Sequence, residues 1–304
     1  MINRIDVDGL NLMASNNIDQ FVRFAEKSYQ DQLVRIGDSI QKEIKTKRFI
    51  LITGPSASGK TFTARLLRRH LQSRGIDSIL VSLDNFYKDR QDLPYEEDGT
   101  QDYETTDAFD VQMLHQCLQE LAFKGRTYLP HFNFKEGMRD RTDRTLLKDG
   151  QVVIIEGLHA LNPLMIPTQL IERCHRYYIA VQTSFDVQGK QVLSYKDVRL
   201  LRRLIRDYRH RGIPFKDTLD IWDHVVSSER KYIIPFTSSA DKVIDSIHLY
   251  EPMVYHSIFP THFLGEQEQR HREKLSSLQE GLSHFASIDR NYVPDTSLLV
   301  EFLF

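Results

Sequence analysis

Gly54, Gly59, Lys60 and Thr61 satisfy the spacing G-x-x-x-x-G-K-[ST] within "ILITGPSASGKTFTARLL", residues 50–67. Between the glycines lie Pro55, Ser56, Ala57 and Ser58. The chemistry of such a stretch is anion binding. Glycines let the backbone turn tightly, its N–H groups point inward, and the following helix N-terminus adds positive potential. The lysine reaches outer phosphates, and the threonine hydroxyl is a ligand suited to magnesium. Two carboxylates stand where they could act beside such a loop. Asp84 in "SLDNFYKDR" and Glu156 in "VVIIEGLHAL" each leave an apolar run. Asp84 reads either as a helix cap or as an acid facing the ligand crevice. Glu156 reads as a magnesium partner, direct or through another group.

These residues must be positioned by strands, and strand-like apolar runs occur at 48–53, 78–83, 152–157, 176–183 and 242–247. Helical stretches separate most of them. Near-continuous apolar strands alternating with helices predict an α/β fold, a mostly parallel five-stranded sheet with helices on both faces. The phosphate loop would open its crevice at the carboxyl ends. Ile18, Phe21, Val22, Ala25, Tyr29, Leu33, Ile36, Ile40 and Ile44 recur at helical spacing and predict a helical extension over 1–47. A body over 48–262 follows, with an insertion at about 84–151 expected to face the substrate and an excursion at about 190–236. A helical tail over 263–304 ends in apolar "LLVEFLF", expected to pack on the body or on a partner subunit, so a homo-oligomer stays open.

The chain has 304 residues and a formal net charge of −2. That balance gives no global attraction to nucleic acid or to an anionic membrane, so neither is an expected partner. Cys117 and Cys174 lack metal-ligand spacing and read as small buried thiols in a reducing compartment. No basic leader and no membrane-length apolar run is present, and a cytoplasmic location is expected.

The order "GPSASGKT", "SLDNFYKD", "DAFD", "PHFNF", "IIEG" and "RLLRRLIRDYRHRG" resembles the uridine kinase and phosphoribulokinase branch of P-loop kinases, over about residues 48–250. It is most similar to bacterial uridine kinase-like nucleoside kinases, whose longer members carry additional N-terminal domains that are not expected here. The resemblance implies a P-loop NTPase fold, ATP and Mg2+ as cofactors, and a small-molecule nucleoside converted to its 5′-monophosphate in nucleoside salvage. It implies Asp84 as general base toward the 5′-hydroxyl, Lys60 and Glu156 beside the phosphates, and metal contacts from Thr61 and Glu156. On the substrate side it implies Tyr87, Lys88, Asp107, Arg139 and one of the pair Phe132 and Phe134. A lid helix would bring Arg203 to the transferring phosphate, with Arg199 and Arg202 behind it as ATP contacts, and with Arg206 and Arg209 at the surface.

From the residues alone several alternatives stay open. Asp107 also reads as a helix cap, and aromatic residues at period two also read as core. The arginine helix also reads as a solvated face. His159 reads as structural, and His210, Trp222 and His224 as packing or surface. Gly137 and Phe132 stand where uridine–cytidine kinases carry a histidine and a tyrosine for the pyrimidine, which implies a relaxed or different nucleoside preference. Lys135, Arg139 and Arg141 keep a sugar-phosphate acceptor open, and a pantothenate-like alcohol belongs with it. A regulatory nucleotide-binding module is the reading of a different class.

Overall fold

The computed structural model describes residues 2–93, 103–259 and 269–303. In chain order the strands are β1 (Asn3–Asp6), β2 (Phe49–Thr53), β3 (Ser78–Ser82), β4 (Arg126–Asn133), β5 (Met138–Leu146), β6 (Val152–Glu156), β7 (Cys174–Ala180), β8 (Thr183–Val187), β9 (Lys190–Leu193) and β10 (Lys242–Asp245). The helices are α1 (Val7–Asn16), α2 (Ile18–Glu43), α3 (Lys60–Gln72), α4 (Val111–Lys124), α5 (Tyr195–Arg211), α6 (Phe215–Tyr232), α7 (Glu251–Ile258), α8 (Gln269–Ser283) and α9 (Val300–Leu303).

Five strands form one all-parallel sheet in the order β10-β7-β2-β6-β3, so the strand leading into the phosphate loop is central. All five residues of β2, "FILIT", are buried, as a strand covered on both faces requires. Its side chains alternate between two cores. Ile50 and Ile52 join Leu33, Ile36 and Ile40 of α2 and Leu67 and Leu71 of α3. Phe49 and Leu51 join Leu114, Leu118 and Leu121 of α4 on the opposite face. Each such aliphatic side chain, fully buried, contributes roughly 1.5–3 kcal/mol of transfer free energy.

The five expected strands are present, and the rest of the chain adds detail. The expected N-terminal helical stretch is two helices that break at Asn17, whose side chain caps α2 by accepting from the Gln20 N–H. Ahead of them β1 pairs in parallel with β8, which pairs antiparallel with β9 to make a second, three-stranded sheet. The expected strand 176–183 is shifted, because residues from Thr183 onward belong to β8. The insertion carries α4 and the antiparallel hairpin β4-β5. Helix α5 opens with a capping box of Ser194 and Asp197 and buries Val198, Leu200, Leu201 and Leu204 in the largest apolar cluster. Of the expected tail, residues 263–268 and 304 lie outside the described residues. Among the described residues no helix is long and apolar enough to cross a membrane. Cys117 and Cys174 are buried free thiols, and burial pushes Cys174 up to about 12, so it is inert as a nucleophile.

Candidate active site

The carboxyl ends of β2, β3 and β6 meet at a cavity of about 640 Å³. Its lining includes Ser56, Ala57, Gly59, Lys60, Thr61, Asp84, Tyr87, Glu104, Glu156 and Arg206. The loop reaches this shape through backbone conformations few residues adopt. Gly59 has φ +87 and caps α3, which glycine tolerates without a Cβ penalty. Gly54 is needed for close approach, since a Cβ there would lie 2.0 Å from the Ile179 carbonyl oxygen. Ala57 sits at φ +57, a left-handed backbone that costs an L-residue roughly 1–2 kcal/mol.

That strain is held from behind by two arginines of α5. Arg199 donates through Nε and Nη2 to the Ser56 carbonyl at 3.1 Å and pairs with Glu229, whose Oε1 accepts from the Ser56 N–H at 3.0 Å. Arg202, fully buried, pairs with Glu251 at 2.5 Å and donates to the Ala57 carbonyl at 3.3 Å and the Ser246 carbonyl at 2.8 Å. Neither guanidinium lines the cavity among the described residues. Arg199 and Arg202, expected as ATP contacts, are thus placed beneath the loop rather than in the cavity lining. Buried carboxylates from α6 and α7 claim both, and each becomes a strut beneath the loop. Arg203 donates to Ser56 Oγ at 2.8 Å and pairs with Asp207 at 3.3 Å. Arg206 and His210, read as surface, line the cavity with Arg211. They do so because the exposed edge of α5 borders it. Arg209 remains exposed.

Inside the cavity Lys60 donates to the Pro55 carbonyl at 3.1 Å, and Thr61 Oγ1 donates to Glu156 Oε2 at 3.2 Å. Burial pulls the Lys60 ammonium below its ordinary pKa, opposed by the charges of Glu156 and Asp84. Asp84 sits in the single-turn helix 83–86 at the end of β3. Burial chiefly, then the Glu156 charge, pushes its carboxyl up to about 6, with Lys60 pulling the other way. A carboxylate with that value is matched to proton abstraction near neutral pH. Thr61 and Glu156 offer adjacent hard oxygen donors, a fit for magnesium shared with phosphate oxygens. Among the described residues no group of three or more His, Cys, Asp or Glu could hold a metal by itself.

On the insertion side, Tyr87 lines the cavity, stacks on Phe109 at 4.3 Å and donates to the Tyr103 carbonyl at 3.1 Å. Phe132 is buried and Phe134 is 59% exposed, so of the pair Phe132 is core. Asn133 turns its oxygen to the N–H groups of Lys135 and Glu136. The β4 strand is tied to the Asp84 turn by Asn85, which accepts from the Phe132 N–H at 3.2 Å. Lys88, Asp107 and Arg139 do not line the cavity, and Asp107 is exposed. Arg139 is committed to Asp110 at 3.0 Å. Glu104, which sequence reasoning missed, takes a place in the lining. His159 is buried, with Nε2 2.8 Å from the Glu104 carbonyl, a structural position as expected.

The profile of the Phosphoribulokinase / Uridine kinase family matches residues 49–250, about two thirds of the chain. A uridine kinase of Halobacterium salinarum is 28% identical over 194 residues, covering 64% of this chain and 77% of the relative. A uridine kinase of Clostridium tetani is 27% identical over 203 residues, covering 66% and 88%. Among solved structures, "Structure of a Possible Uridine Kinase from Bacillus stearothermophilus" is 18% identical with a TM-score of 0.44, covering 71% of this chain and 98% of that one.

Proposed function

The chain belongs to the phosphoribulokinase / uridine kinase family of kinases, and on that premise we propose that it transfers the γ-phosphoryl group of ATP to the 5′-hydroxyl of a nucleoside. The observation that carries this reading is Asp84, a carboxylate raised to about 6 in the same cavity as Lys60 and the phosphate loop. A nucleotide-binding module without an acceptor has no use for such a group.

In the proposed step the hydroxyl gives its proton to an Asp84 carboxylate oxygen as its own oxygen bonds to the γ-phosphorus. The bond from that phosphorus to the β,γ-bridging oxygen breaks, and ADP leaves. Lys60 and the loop N–H groups meet the charge on the phosphates, and Arg206, held by Asp207, and Arg211 are the α5 arginines of the lining that would meet charge on the transferring oxygens. Thr61 and Glu156 would hold magnesium together with phosphate oxygens, and such an ion supplies charge neutralisation. Glu104, which lines the cavity where Asp107 does not, is the better placed acceptor for ribose hydroxyls. Tyr87 offers an aromatic face on the same side. A sugar-phosphate acceptor finds less support, because Arg139 is already paired with Asp110.

Coupled ADP release with a panel of pyrimidine and purine nucleosides tests the acceptor class. At least one nucleoside is expected to raise turnover well above the ATP-only rate. A panel in which none does so removes the nucleoside reading.

A further inference from the structure

The cavity has a wall beyond the family match, which ends at residue 250. Val300 and Glu301 of α9 line it together with Lys60, Thr61 and Phe62. Packing brings this distant segment back to the loop. Leu298 and Phe302 are fully buried in the core of α2 and α3. A Cβ on Gly59 would lie 2.5 Å from Leu298 Cδ1, so this segment presses directly on the hinge of the phosphate loop. The Phe302 ring lies 5.0 Å from the guanidinium of Arg202, the strut beneath Ala57.

Within that packed segment Glu301 lines the cavity wall beside Phe62 at the start of α3. Phe62 is the third residue of α3. Its N–H is therefore one of the donors that no earlier carbonyl in the helix satisfies. At the end of a phosphate loop, those are the donors that hold an incoming anion. Arg206, Lys60 and Arg202 attract the Glu301 charge, while burial opposes it more strongly and holds the carboxyl above its ordinary value. Glu301 Oε2 is buried without a hydrogen-bond partner. A half-buried carboxylate in the cavity wall that the loop lysine also lines stands where a second anion would meet like charge.

We propose that Glu301 is a fixed anion in the wall of the phosphate cradle, so that α9 sets the affinity for the donor's phosphates. The inference rests on the phosphate-donor reading above and adds a determinant outside the family match.

The test is calorimetric titration of the full chain with inorganic tripolyphosphate and, separately, with ATP, both without magnesium at pH 8. Glu301→Gln keeps the side-chain shape and removes its charge, and Glu301→Ala removes the carboxylate altogether. Asp295→Asn removes an exposed charge from the same stretch of chain. Both anions are expected to bind Glu301→Gln and Glu301→Ala about tenfold more tightly than the unaltered chain, the scale of an anion at a helix N-terminus. Asp295→Asn should match the unaltered chain, and thermal unfolding should show each variant folded. Unchanged or weaker binding of tripolyphosphate by folded Glu301→Gln overturns the inference. So does weaker ATP binding with unchanged tripolyphosphate binding, which would make Glu301 a contact to the nucleoside half of the donor. If neither anion binds the unaltered chain or any variant, the phosphate-donor reading itself falls and takes this one with it.

Discussion

Asp84→Asn is expected to lower nucleoside-dependent kcat by about 10²–10⁴-fold, the usual worth of a positioned general base, and to make the protein more stable at pH 7.5. Both effects come from one cause. The folded state raises the Asp84 carboxyl from 3.8 to about 6, mainly through burial and then through the Glu156 charge. A folded-state value above the unfolded one favours the protonated form. Its contribution to stability is full below about pH 4 and is lost as pH rises through 6. At pH 7.5 the ionised carboxylate therefore costs about 2–3 kcal/mol, at 1.36 kcal/mol per pKa unit. Asparagine keeps the shape without that charge. Urea unfolding should show the gain as a higher midpoint with an unchanged slope. A variant that loses activity and stability together would mean that Asp84 serves the fold rather than the proton.

Arg202→Met should behave in the opposite way, losing about 3–5 kcal/mol of stability, because it leaves Glu251 as an uncompensated charge in the core. Arg202 also donates to the Ser246 hydroxyl and carbonyl and to the Ala57 carbonyl of the phosphate loop. Its loss is therefore expected to weaken ATP binding through loop geometry. Pairing it with Glu251→Gln should recover part of the stability, since the stranded charge is then gone. Arg202→Lys should rescue little, as an ammonium cannot reproduce the planar fork that reaches Glu251, Ser246 and Ala57 together. If Arg202→Met unfolds at the same urea concentration as the unaltered chain but turns over slowly, the guanidinium acts on the phosphates and the strut description is wrong.

The contrast between these two residues shows which parts of the molecule are legible in a sequence. Asp84 stays open between cap and acid until the ordered motifs are read together, but Lys60 can be placed because the surrounding pattern is local. A buried strand, a glycine turn and a helix start follow each other within a few residues, and the backbone geometry dictates the residue types. The same holds for β2, whose uninterrupted apolar run admits only a strand covered on both faces. Arg199, Arg202, Arg203 and Arg206 share one helix, and the helical period cannot tell which guanidinium meets substrate. Arg199 and Arg202 are drawn beneath the loop by Glu229 and Glu251, which lie 30 and 49 residues further on. Glu301 is more remote still, carried to the loop by the burial of Leu298 and Phe302. Short strands β1 and β8 were hidden for a related reason, since four paired residues carry too little alternation to stand out. Phe132 and Phe134 have the same residue type at period two, and only the packing under the hairpin separates core from exposed ring.

The central claim is that Asp84 takes the proton of an alcohol as it attacks the phosphate held by Lys60 and its loop. It is tested most directly by the pH dependence of nucleoside-stimulated ADP formation, measured side by side for the unaltered chain and Asp84→Asn. The account predicts that kcat/KM of the unaltered chain is half-maximal near pH 6 and falls tenfold per unit below it, as the base is protonated. In Asp84→Asn the residual rate should lack that limb. The same acid limb in both proteins would assign the titration to another group and contradict the account.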